Sequence, residues 1–182
     1  MYKTEKITKD VSTKYYFDNF VDIDYFLEYC YKCSTYNKNW GCPPFDFNPR
    51  ELWKSFNNLT IIGLKISFNE DILNKTYSSG ELDNLLKKSL KIEKNKLVDE
   101  LFKMENEKKD SLALFAGKCT ICEECNKINN EKCRNPQKLR HSIESIGGNV
   151  EKTLKDILNI NLKWIEDYKV PEYLVLCFGL LY

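Results

Sequence analysis

Residues 59–68, LTIIGLKISF, read as a β-strand, because β-branched and aromatic side chains are dense over a segment of strand length. A second strand is expected over residues 111–117, SLALFAG, and it runs directly into Cys119. The closing stretch, NLKWIEDYKVPEYLVLCFGLLY (161–182), reads as a β-hairpin turning near Lys169–Pro171. Between the first two strands, Gly80 to Lys109 is one long helix by pattern. Leu82, Leu85, Leu86, Leu90, Leu97, Leu101 and Phe102 form its apolar stripe, and its lysines and glutamates form a solvated outer face.

Earlier in the chain, DNFVDIDYFLEYC (18–30) spaces Phe20, Ile23 and Leu27 as a helix does, and so delivers Cys30 and Cys33 at its C-terminal end. Pro49 suits the first turn of a short helix over ELWKSF (51–56). Two further short helices are expected around Gln137–Ser145 and Val150–Leu158. Three or four strands with helices on one face make an α+β fold built on a small, mainly antiparallel sheet. The chain reads as a single domain over 1–182, with a helical cysteine segment at about 15–50 and a ferredoxin-like cysteine loop at about 117–137. Both cysteine groups then lie on loops, where functional residues concentrate.

Composition narrows the function. The 182 residues are 42% hydrophobic and 30% charged, as in a soluble globular domain. With 28 basic and 27 acidic residues the net charge is +1, so no global field attracts nucleic acid or an anionic membrane. Only three basic residues are arginine, Arg50, Arg134 and Arg140, fewer than a phosphate-reading surface uses. No nucleic-acid partner is expected. MYKTEKITKDVSTKYYF (1–17) lacks the apolar core of a signal peptide, and YLVLCFGLLY (173–182) is too short to span a bilayer. A cytoplasmic protein is expected, and eight cysteines in a reducing compartment point to metal or redox chemistry rather than disulfides.

KCTICEECNKINNEKCRNPQ (118–137) reads Cys119-x2-Cys122-x2-Cys125-x7-Cys133. Three thiols at strict three-residue spacing suit an iron–sulfur cluster, as in the bacterial ferredoxin run C-x2-C-x2-C-x3-C-P. This chain departs from that run in the long gap before Cys133 and in a proline three places after it, so Cys133 either closes this cluster or reaches the other cysteine group. Zinc is the alternative metal, with two of the triplet, Cys133 and His141, the single histidine, as ligands; it leaves one thiol idle.

The other group, CYKCSTYNKNWGCPPF (30–45), reads Cys30-x2-Cys33-x8-Cys42-Pro-Pro. Glycine before Cys42 permits close backbone approach, and two prolines after it fix an extended exit. Three thiols leave a fourth position for water, a substrate, another side chain or Cys133. Cys177 reads as a buried core thiol and a reserve candidate for that position. Tyr36, Trp40 and Phe45 read as packing that keeps water off the site. Arg134 and Arg140 are candidates to face a cluster's negative charge or an anionic ligand, with structural salt bridges as the other use.

Together the two blocks resemble a family of uncharacterised, predicted metal-binding proteins common in anaerobic microbes. One shared block is matched by Cys30, Cys33, Tyr36, Trp40, Cys42, Pro43 and Pro44. The second is matched by Gly117, Cys119, Cys122, Cys125, Cys133, Arg134, Pro136, Ser142, Glu144 and Gly147. The resemblance implies metal binding, with one or two 4Fe–4S clusters as the expected cofactor, and no settled reaction. Three functions follow from the cysteines: electron transfer with a redox protein partner, a cluster-dependent enzyme with an open iron at the first group, and a zinc-stabilised interaction module.

Overall fold

The computed structural model describes residues 2–182. Four strands form its sheet: β1 (Tyr2–Ser12), β2 (Asn58–Phe68), β3 (Leu112–Leu114) and β4 (Tyr173–Leu181). They lie in the order β1-β2-β4-β3, and every neighbouring pair is antiparallel. β2 and β4 take the centre because both are apolar on two sides, as a strand covered on both faces must be. From β2, Ile62, Leu64, Ile66 and Phe68 enter one core, while Leu59 and Ile61 enter another on the opposite face.

The helices are α1 (Thr13–Phe20), α2 (Ile23–Tyr31), α3 (Pro49–Lys54), α4 (Glu70–Leu73), α5 (Ser79–Leu86), α6 (Ile92–Glu107) and α7 (Val150–Leu158). A π-helical turn over Lys87–Lys91 joins α5 to α6, so the long helix expected from the leucine stripe is present with one underwound point. Ser78 and Glu81 form a capping box at its start. Leu82, Leu85, Leu97 and Leu101 cover the first face of the sheet. The second face is covered too, by Tyr16 and Phe20 of α1, Trp53 of α3, and Leu154 and Leu158 of α7. The expectation of helices on one face therefore describes half of the arrangement. The α+β class and the antiparallel sheet are as read from the sequence.

Three local readings change. The C-terminal hairpin does not form: only Tyr173–Leu181 is strand, and it inserts between β2 and β3. Residues 161–172 hold one isolated bridge, Glu166 to Lys169, closed by Asp167 and Tyr168 in left-handed conformations. That segment lacks a continuous apolar face, and Trp164 is 66% exposed, whereas β2 offers β4 nine paired positions. The helix expected around Gln137–Ser145 is reduced to 3-10 turns at Pro136–Lys138 and Glu144–Ile146. Between them the chain is drawn out beside β3: the Phe115 amide donates to the His141 carbonyl at 2.8 Å, and Phe115 bridges Ser142. Finally, the helix before Cys30 is broken at Val21–Asp22, where Val21 bridges Gly148 and the Asp22 amide donates to Gly147 at 2.8 Å. Segment 141–148 thus lies against both cysteine-bearing regions.

Candidate metal centre

Cys30 sits in the last turn of α2, which Asp22 caps through the Tyr25 amide at 3.1 Å. Consecutive turns then fold the chain back on itself: the Cys33 amide donates to the Cys30 carbonyl, and the Tyr36 amide to the Cys33 carbonyl, each at 3.0 Å. Asn37 takes a left-handed conformation, and its amide donates to the Pro43 carbonyl at 2.9 Å. The result returns Cys42 to Cys33, with the Thr35 hydroxyl 3.2 Å from the Cys33 sulfur and 3.6 Å from that of Cys42. Cys30, Cys33 and Cys42 line one cavity of about 110 Å³, with Thr35, Lys118 and Glu144 completing its polar wall.

The second group begins at Gly117, whose φ of +65° makes the turn out of the β3 segment. The Gly117 amide donates to Glu144 Oε1 at 2.9 Å, tying this turn to the wall of the first cavity. Cys122 and Cys125 line a separate, open basin of about 700 Å³ together with Arg134 and Asn135. The charges of Cys133 and Cys125 act on Cys119, and those of Cys42 and Cys33 act on Cys30. Two N–H groups reach sulfurs here: Asn135 Nδ2 to Cys122 at 3.2 Å and the Trp40 amide to Cys125 at 3.4 Å.

That last contact crosses from one group to the other, and others reinforce it. Asn39 Nδ2 donates to the Cys119 carbonyl at 3.0 Å, and Trp40 Nε1 to the Glu131 carbonyl at 3.0 Å. Lys127 is 6% exposed, and its ammonium donates to the carbonyls of Cys42 at 3.2 Å and Pro44 at 3.0 Å. It also lies 5.0 Å from the centre of the Trp40 ring. The Cys42 loop is thereby plugged into the Cys119–Cys133 loop by backbone and side-chain bonds.

Burial dominates the electrostatics. It pushes the Cys30 thiol up to about 11, helped by Cys42 and Cys33, and it raises Cys42 and Cys119 as well. Cys33 moves the other way, because the Thr35 side chain and backbone stabilise its thiolate. Burial raises the Glu144 carboxyl and lowers Lys94 and Lys127.

The remaining sequence candidates fall outside the thiol groups, save one. Arg140 is committed to Glu105 by two bonds of 2.7 Å, and Nη1 donates to the carbonyls of Gln137 and Leu139. Arg134 lines the Cys122–Cys125 basin and donates to the Glu124 carbonyl. His141 packs its ring 4.7 Å from Phe45 and 5.0 Å from Phe47, with Nδ1 3.3 Å from the Gly41 carbonyl. Cys177 is a core thiol, 4% exposed among Leu59, Leu154 and Leu181, and burial drives its pKa far up. Of the aromatic trio, Tyr36 lines the first cavity, whereas Trp40 and Phe45 brace the loop between the groups. Sequence reading missed Thr35, Asn39, Lys127 and Asn135; Asn39 and Lys127 act on partners 80 and 85 positions away, whereas Thr35 serves Cys33 and Cys42 of its own loop.

Seven thiols in two groups, with N–H groups directed at sulfurs in both, are a donor set suited to a thiophilic metal. Cys30, Cys33 and Cys42 would hold one centre, and Cys119, Cys122, Cys125 and Cys133 another. Among the described residues no three His, Cys, Asp or Glu side chains gather closely enough to hold a single ion. Also among them, no helix is long and apolar enough to cross a membrane. The fold and its paired thiol loops define a metal-binding α+β protein. The chain belongs to the family described as predicted metal-binding protein (DUF2284), whose model matches residues 20–181. No curated protein and no solved structure matches it.

Proposed function

We propose that the protein is an iron–sulfur protein of the cytoplasm, carrying 4Fe–4S clusters at its two cysteine groups for electron transfer with a redox protein partner. The observation that carries this reading is the contact between the groups. Cys42 of one lies two residues from Trp40, whose amide donates to Cys125 of the other. That link and the bonds beside it join the two thiol groups into one unit, the arrangement that two centres exchanging electrons need. When bound, such clusters supply one-electron chemistry.

The chain's own contribution is to set the environment. N–H donors from Asn135 and Trp40 stabilise charge on the Cys122 and Cys125 sulfurs, and such bonds are a main control of cluster potential. Lys127 fastens the two loops and holds a positive charge near Cys42. Metal and acid-labile sulfide analysis of protein prepared without oxygen, with its electron paramagnetic resonance spectrum, tests the reading. Iron and sulfide in near-equal amounts with a reducible signal are expected. Zinc without sulfide overturns it.

A further inference from the structure

The first site has three thiols and a wall with no fourth. Of the other polar groups there, the Thr35 hydroxyl is shared between Cys33 and Cys42. Ser145 Oγ accepts from the Ser142 amide at 3.0 Å and donates to the Ser142 carbonyl at 2.9 Å, while the Ser142 hydroxyl accepts from the Ser145 amide at 3.3 Å and bonds the Glu144 carboxylate. Lys118 carries a cation, which does not ligate metal. Cys177 lies in the core. That leaves Glu144.

Its carboxylate stands on the cavity wall with Cys30, Cys33 and Cys42. The Gly117 amide fixes Oε1 at 2.9 Å and so sets the orientation of the group. Among the described residues no lysine or arginine forms an ion pair with it. Lys118 stands on the same wall and Lys94 acts on the carboxyl, but neither pairs with it, and burial disfavours its ionised form; a metal held among the thiols would favour that form. We propose that Glu144 is the fourth donor of the first site, an oxygen ligand that makes one metal position there chemically distinct from the three held by thiolates. The assignment rests on the iron–sulfur reading above.

Its consequence is functional. Thiolate is the soft ligand that iron–sulfur centres retain, and a carboxylate is a harder, more readily displaced one. The position that Glu144 holds is therefore the exchangeable one, open to a small anionic ligand with oxygen or sulfur donors. The Cys119–Cys133 site, with four thiols, has no such position. The two centres thus divide the work: the four-thiol site conducts, and the three-thiol site binds.

The test is Mössbauer spectroscopy of the full chain reconstituted anaerobically with ⁵⁷Fe and sulfide, alongside Glu144→Cys, Glu144→Ala and Glu144→Gln. In the wild type a single iron should show non-sulfur coordination. Glu144→Cys should convert that iron to an all-sulfur environment with iron content unchanged. Glu144→Ala should lose that iron while sulfide stays constant. Glu144→Gln, which retains an oxygen to accept from Gly117, should behave as Glu144→Ala does and serves where the smaller side chain impairs folding. Irons that are all alike in the wild type, or a distinct iron that survives unchanged in Glu144→Ala and Glu144→Gln, overturn the assignment. Absence of sulfide from the wild type instead overturns the iron–sulfur reading beneath it.

Discussion

Gly41 lies so close to Cys119 that a Cβ added to it would stand 2.8 Å from the Cys119 Cβ, and 2.8 Å from the Arg140 carbonyl. Both neighbours are held by backbone, so neither yields cheaply. The glycine before Cys42 is there for the approach of two metal loops, rather than for the turn itself. Gly41→Ala is expected to destabilise the fold by about 1–3 kcal/mol, the range for overpacking a tight contact. It should also lower metal content at both sites together, because the loops separate as one event. Urea denaturation with metal analysis checks this. An unchanged midpoint with full metal loading would mean the loops have slack.

Lys127 is the second fastening. Lys127→Met keeps the length and apolar stem of the side chain but leaves the carbonyls of Cys42 and Pro44 without their donor. Loss of hydrogen bonds to buried groups costs about 1–3 kcal/mol. The expected phenotype is a lower thermal midpoint and faster metal loss to a chelator from the first site than from the second. Equal loss rates at the two sites would show that Lys127 does not control the Cys42 loop.

Much of this was legible in the residues, and what was not has a common cause. β2, the long helix and α7 carry their own periodicity, and the cysteine spacings announce the ligands. β1 does not: YKTEKITKDVS is an edge strand with half-buried positions only at Tyr2, Ile7 and Val11, so its pattern is thin. The residues beside β4 suggest a local partner because a hairpin is the simplest pairing, yet its true partners lie over a hundred and about seventy positions earlier. The junction of the two sites was hidden for the same reason. It is built from backbone groups and from single Asn39, Trp40 and Lys127 side chains, and isolated residues form no periodic pattern to read.

His141 gives the fold a pH dependence. Burial first, and then the positive charges of Arg140 and Lys127, hold its pKa below the ordinary 6.5, opposed by the Gly41 carbonyl and Asp46. The unfolded chain therefore binds this proton at higher pH than the folded one does. Its contribution is fully present above 6.5 and is lost as pH falls from there toward the lower folded value. His141→Asn keeps an N–H donor for Gly41 and does not titrate. Urea midpoints of the two proteins, measured between about pH 5 and 8, should be furthest apart and level above 6.5 and converge as pH falls below it. A constant difference would mean that His141 titrates alike in both states.

Cys177 and Cys122 separate thiols that pack from thiols that ligate. Cys177 is enclosed by apolar side chains of the second core, and no cavity of either metal group reaches it. Cys177→Ser places a hydroxyl there without a ready partner, at a cost of about 1–3 kcal/mol on mutational scales. Iron and sulfide content should not change. Cys122 faces an open basin and accepts a bond from Asn135, so Cys122→Ser should leave the apo-protein's unfolding midpoint within about 0.5 kcal/mol. Metal at the second site should fall sharply in that variant. The opposite result, metal lost with Cys177→Ser while its midpoint holds, would move Cys177 into a ligand shell and displace Glu144 from the first site.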